Sequence, residues 1–248
     1  MTQRAKRAEG LKQSDIRRMS VECARVDGVN LGQGICDLPL HPAVQAGTIR
    51  AIEAGNNAYS PLEGAIELRR AIAKKAELFN GFTCDPETGI VVTVGATGAF
   101  AGVCLAYLDP GDEVILFEPY YGYHLNTLKV VGGTPRFVTL HGREFEIDFD
   151  ELEKAFSKKT KMIVVNTPGN PSGKVFTREE LTRIGELCRK HDVLMVTDEI
   201  YEYIVYPGAE HVSPASIAEL KDITLTMSGF SKTFSITGWR LGYVAGPP

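Results

Sequence analysis

MIVVNTPGNPSGKVFTREELTRIGELCRKHDVLMVT, residues 162–197, spells a strand, a turn-rich loop, a helix and a second strand in one stretch. The first run, MIVVN, and the last, VLMVT, are β-branched and almost continuously apolar, which is how a strand buried on both faces reads. Between them Thr177 and Glu180 form a capping box ahead of Leu181, Ile184 and Leu187, whose spacing lays one apolar stripe along a helix. Strand, helix, strand in this order predicts a mostly parallel sheet with helices on its faces.

The same rhythm extends in both directions. IVVTV (90–94), EVILF (113–117), RFVTL (136–140), ITLTM (223–227) and LGYVA (241–245) read as further strands, and Asp148 is placed to cap a helix carrying Leu152 and Phe156. An α/β fold with a mostly parallel sheet and helices on both faces is expected. Residues 1–45 lack the alternation and are expected to form an arm and part of a second lobe.

Composition narrows the classes. The 248 residues are 44% hydrophobic and 23% charged, with a formal net charge of −4, which suits a soluble globular domain and argues against a nucleic-acid or anionic-lipid surface. Five scattered cysteines without a CxxC pair suggest neither a disulfide framework nor a zinc site, and fit a reducing compartment. His41, His124, His141, His191 and His211 form no metal-binding spacing. No metal is expected. The basic N-terminus is followed by no apolar stretch and carries Glu9 and Asp15, so the sequence reads as neither secreted nor imported, and a cytoplasmic location is expected.

In such sheets ligands bind at the carboxyl ends of the strands. Those ends carry Gly95-Ala96-Thr97-Gly98, then Pro119-Tyr120-Tyr121, then Pro168-Gly169-Asn170-Pro171-Ser172-Gly173, then Asp198 with Tyr201, then Ser231-Lys232. An anion-binding turn, an aromatic, an amide, an acid with a phenol and a lysine are what a phosphorylated, protonatable heterocycle bearing an aldehyde requires. Each also has a plainer reading. Gly95–Gly98 with Gly102 and the later Glu118 keeps a dinucleotide site open, Asp198 could serve only its turn, and Lys232 could be a solvated surface residue. Gly169–Lys174 is no phosphate-binding loop for nucleoside triphosphates, because Val175 stands where a magnesium-binding hydroxyl belongs.

Taken together, SKTFSITGWRLGY (231–243), NPSG (170–173), DEIY (198–201), Tyr59 and Gly64 in NAYSPLEG, and Gly32-Gln33-Gly34 resemble the class I/II aminotransferases, fold-type I enzymes dependent on pyridoxal 5′-phosphate (PLP). The resemblance implies a seven-stranded sheet with one antiparallel strand, residues 46–248 as the PLP-binding large domain, and 1–45 as arm and partial small lobe. It implies Lys232 as the Schiff-base lysine that also shuttles the proton, Asp198 against the pyridine nitrogen, Tyr201 and Asn170 on the 3′ oxygen, and Tyr121 stacked on the ring. Ala96, Thr97, Ser231 and Arg240 would hold the phosphate, Gly34 the substrate carboxylate, and Tyr59 the phosphate of a neighbouring subunit in a homodimer. Gly229 stands where the family often has a phosphate-binding serine, with Ser228 one place earlier. Members of the family continue past GWRLGY into a C-terminal lobe, so this chain reads as lacking that small domain. The expected activity is amino-group transfer from an amino acid to a 2-oxo acid such as 2-oxoglutarate. The alternatives are a PLP-dependent β-lyase or other elimination enzyme, a non-catalytic PLP-binding module, and an NAD(P)-binding domain.

Overall fold

The computed structural model describes residues 3, 5–9, 11 and 14–247. The first residues of the expected 1–45 arm therefore lie partly outside the described residues. The centre of the molecule is one sheet with strand order β1-β8-β7-β6-β5-β2-β3-β4, in which β1 is Ile90–Val94, β2 Glu113–Glu118, β3 Thr134–His141, β4 Glu146–Ile147, β5 Thr160–Asn166, β6 Leu194–Asp198, β7 Thr224–Gly229 and β8 Leu241–Ala245. All seven expected strands are present. The sheet has eight strands instead of seven because β4, two residues long, folds back antiparallel on the edge of β3. β8 runs antiparallel to both β1 and β7, and the remaining pairs are parallel.

Helices cover both faces, as continuous apolar strands demand. Successive residues of β2, β5 and β6 alternate between two cores: Ile115, Ile163 and Met195 enter one, Leu116, Val164 and Val196 the other. The first core is closed by α6 (Phe149–Ala155) and α7 (Arg178–His191), the second by α4 (Gly95–Tyr107) and α5 (Gly122–Val131). α7 begins at the expected capping box: Thr177 Oγ1 accepts from the Glu180 amide at 3.2 Å, and Glu180 Oε2 accepts from the Thr177 amide at 2.9 Å. Asp148 caps α6 by accepting from the Asp150 and Glu151 amides. Phe156 lies just past the end of α6, buried in the same core.

At the β1 edge a third, smaller core forms where Ile72 of α3 (Ile66–Lys75) meets Ile90 and Tyr243. α3 runs on into a single π-helical turn, Ala76–Asn80. The N-terminal helices α1 (Asp15–Arg25) and α2 (Pro42–Glu53) bury no residue. Among the described residues no helix is long and apolar enough to cross a membrane.

Candidate active site

The strand order reverses between β2 and β5: β3 lies on one side of β2, and β5, β6 and β7 follow on the other. Loops part at such a point, and a cleft of about 940 Å³ opens there, at the carboxyl ends of the parallel strands. Every residue expected at the site lines it except Tyr59: Ala96 and Thr97 after β1, Tyr121 after β2, Asn170 after β5, Asp198 and Tyr201 at β6, Ser231 and Lys232 after β7, Arg240 before β8, and Gly34 from the N-terminal segment.

One end of the cleft is built for an anion. α4 opens on Gly95 with no side chain capping its first turn and no acid within it, so its free N–H groups are offered to a ligand. Arg240 stands beside them. A Cβ on Gly95, whose φ is +68°, would lie 2.5 Å from Arg240 Nη2, and one on Gly242 would lie 2.5 Å from the Ala96 nitrogen. Two glycines thus let the guanidinium and the helix start converge on one small volume, a cradle that any side chain would fill. Arg240 itself takes a left-handed φ of 55° and donates to the Thr237 carbonyl at 2.9 Å, which fixes its direction.

The floor carries the acid. Asp198 is 4% exposed, and its Oδ2 lies 3.1 Å from His124 Nε2 while Oδ1 accepts from the Ile200 amide at 3.3 Å. The plain turn role and the cleft-facing role therefore coexist in one carboxylate. His124 had no predicted role, because a lone histidine in the sequence does not declare what it faces. The signal available was its place three residues after Tyr121, one helical turn on and so on the same side. Its ring packs edge-on to Tyr121 at 5.4 Å and tilted on Phe100 at 4.7 Å. Asn166, the last residue of β5, was also missed: its Nδ2 donates to the Asp198 carbonyl at 3.0 Å, and its Oδ1 accepts from the Asn170 amide at 2.7 Å.

Aromatic and amide groups close the sides. Asn170 Nδ2 donates to the Tyr201 hydroxyl at 3.3 Å, and Lys232 Nζ lies 5.6 Å from the centre of the Tyr201 ring. Burial pushes the Tyr121 phenol up to about 12, with Tyr201, Tyr123 and Asp198 adding to the rise and Arg240 opposing it. Burial likewise raises Tyr201, against the hydrogen bond from Asn170. Both remain neutral phenols at pH 7. Tyr120 turns away and stacks on Phe137 of β3. Ser228 does not line the cleft; it is wholly buried and its hydroxyl donates to Glu202 Oε1 at 2.8 Å. Gly229 leaves no room for a serine, since a Cβ there would meet the Leu241 carbonyl oxygen at 2.8 Å. Tyr59 is fully exposed, away from the cleft of its own chain.

The dinucleotide alternative fails on topology. Such a site needs the glycine turn and the ribose-binding acid on adjacent strands. Here Glu118 ends β2, which is separated from β1 by β8, β7, β6 and β5.

The family model for aminotransferase class I and II matches residues 26–248. This chain belongs to that family. It is 40% identical to kynurenine–oxoglutarate transaminase 3 of Rattus norvegicus, over 98% of this chain and 56% of the relative. It is 37% identical to aromatic-amino-acid aminotransferase 2 of Thermococcus litoralis, over 97% of this chain and 62% of the relative. The solved N-succinyldiaminopimelate aminotransferase of Mycobacterium tuberculosis superposes with a TM-score of 0.95 at 36% identity, covering 99% of this chain and 64% of that one. This aminotransferase-family chain thus spans less than two thirds of the length of these relatives.

Proposed function

We propose that the chain is the PLP-binding portion of an aminotransferase that moves an amino group between an amino acid and a 2-oxo acid. The carrying observation is the convergence of Lys232, Asp198, Tyr201, Asn170 and Arg240 on one cleft from separate strand ends. The donor set fits the cofactor. An uncapped helix start beside a fixed guanidinium suits its phosphate, a buried carboxylate held by His124 suits a protonated ring nitrogen, and the Tyr121 ring lining the cleft suits an aromatic ring.

When bound, PLP supplies an aldehyde that takes up the amino group and an electron-poor ring that withdraws charge from the substrate Cα. The protein does the rest. Arg240, Ser231 and the N–H groups of Ala96 and Thr97 hold the phosphate, and Tyr121 covers one ring face. Asp198 keeps a negative charge where the ring nitrogen carries its proton, and His124 holds that carboxylate in place. Tyr201 and Asn170 donate to the ring oxygen. The Lys232 amine would anchor the cofactor at rest and, once freed, would hold and move the proton of the substrate Cα. Gly34 offers its N–H to the substrate carboxylate. Residues 46–248 form the cofactor-binding domain, with 1–45 as an arm and part of a small lobe. Tyr59, exposed in its own chain, serves the phosphate of a second copy in a homodimer. The five unpaired thiols support a reducing, cytoplasmic setting.

Borohydride treatment of the PLP-loaded, folded protein is expected to fix the cofactor on Lys232, located by peptide mass spectrometry. Labelling of a different lysine would sink the assignment.

A further inference from the structure

The turn after β6 has two sides. Asp198 and Tyr201 line the cleft, whereas the two acids interleaved with them, Glu199 and Glu202, do not, and are 0% and 2% exposed. Neighbouring buried carboxylates are costly unless charge and hydrogen bonds answer them. Here they are answered from the far side. Lys75, the last residue of α3, ion-pairs with Glu202 and donates to the Tyr243 hydroxyl at 3.3 Å. Asn80, carried by the π-helical turn, donates to Glu202 Oε2 at 2.8 Å and reaches Glu199 Oε2 at 3.5 Å. Ser213 and Thr197 donate to Glu199 Oε1 at 2.9 and 2.7 Å, and His211 Nε2 lies 3.0 Å from Oε2.

Glu199, Glu202 and His211 have their ligand atoms within 4.8 Å of one another, close enough for a metal ion. Lys75 and Asn80 already supply the positive charge and the donor that such an ion would replace. The cluster is a polar hub, and it touches three of the chain segments that carry the site. Glu199 sits within the Asp198–Tyr201 turn and Glu202 directly follows it. Ser228, bonded to Glu202, is on β7 just ahead of Ser231 and Lys232. Tyr243, bonded to Lys75, is on β8 just past Arg240.

Building on the PLP reading, we propose that Lys75 and Glu202 are positioning residues through which α3 holds Asp198 and Tyr201 against the cofactor from behind the cleft. Neither lines the cleft. π turns recur where a helix must aim one residue out of step, and Asn80 is aimed in this way between the two acids.

The test separates positioning from stability. Lys75→Met/Glu202→Gln removes both charges of the ion pair together, while Glu199 keeps its hydrogen bonds from Thr197 and Ser213 and its contact with His211, so the melting temperature is expected to stay within a few degrees. The tether from α3 is lost all the same. In the cofactor-free 248-residue chain, the amides of Ile200, Glu202 and Ile204, which bond within this turn, are expected to exchange at least tenfold faster, with those of Ile163–Val165 in β5 unchanged. PLP affinity, read by fluorescence quenching, is expected to weaken at least fivefold. Lys75→Arg, which keeps the charge, should remain within threefold of wild type in both. Wild-type exchange and PLP affinity in the folded double variant would overturn the proposal. So would an equal rise in exchange across β5, or an unfolded double variant, either of which makes the pair a stability element. Should the wild-type chain itself fail to bind PLP, the cofactor reading falls, while hydrogen exchange still decides whether α3 holds the turn.

Discussion

Asp198, Tyr201, Asn170 and Lys232 reach the cleft from strands whose neighbours are wholly buried, whereas Gly34, Ile35 and Cys36 reach it from a segment in which neither α1 nor α2 buries a residue. The floor is therefore set by the chain's own core, with β7 buried along its whole length. The rim is not. Leu31 is 91% exposed and Leu38 72%, and Ile35, Val26 and Val29 are exposed beside them in sequence. Large apolar side chains exposed together along one segment suit a surface that something else covers. In the proposed homodimer the second copy would cover it.

The largest expected effect sharpens this contrast on stability. Ile163 is 0% exposed in the middle of β5, and Ile163→Ala is expected to cost about 2–5 kcal/mol through lost burial and the cavity left behind. Leu31→Ser on the rim removes no buried contact and is expected to change folding stability by about 0.5 kcal/mol or less. Urea denaturation of both variants at low protein concentration measures the difference. Comparable losses would mean that the rim is packed within the single chain, and the contrast would not stand.

Next comes the chemistry of the floor. Asp198→Asn keeps an oxygen to accept from the Ile200 amide and so should leave the fold and the Lys232 linkage in place. It removes the negative charge. Under the proposed function, losing one or two pK units of support for the protonated ring is about 1.4–2.7 kcal/mol, or roughly ten- to a hundredfold in the rate of the amino-acid half-reaction of the whole enzyme. A stopped-flow measurement on PLP-saturated protein reads it. A near-normal rate would return Asp198 to a turn-forming role.

The same contrast explains what the sequence disclosed. The strands were legible because a two-sided core requires continuous apolar runs, and α7 because its capping box is a local device. β4 was not, since two residues on an edge carry no periodicity. Gly95 could be read as a turn glycine and Gly242 as part of a strand, but not as facing elements, because their meeting depends on β8 lying beside β1. His124 escaped for the same reason: its partner Asp198 is on a strand two places away across the sheet from β2, the strand that α5 follows. Glu199 and Glu202 were the hardest, because acids beside a strand end are ordinarily solvated and only the fold brings Lys75 and Asn80 to them.

The smallest effect at neutral pH is carried by the thiols, which sample both regions. Cys36 lines the cleft from the rim and is partly exposed, while Cys104 in α4 and Cys188 in α7 are 0% exposed in the two cores. Burial pushes Cys104 and Cys188 up to about 12 from an ordinary 9.0. A thiol raised in the folded state keeps its proton there after the unfolded chain has lost it, so the folded state binds more protons above pH 9. Stability is unaffected below pH 9 and falls as pH rises from about 9 towards about 12. Iodoacetamide at pH 8 is expected to label Cys36 in the folded protein and to spare Cys104 and Cys188, because the reactive thiolate is scarce and enclosed in the cores. Saturation with PLP should slow labelling of Cys36, which shares the cleft, and leave labelling of the partly exposed Cys23, outside it, unchanged. Labelling of Cys188 at the rate of Cys36 would show that the floor opens as readily as the rim, and the distinction between them would be lost.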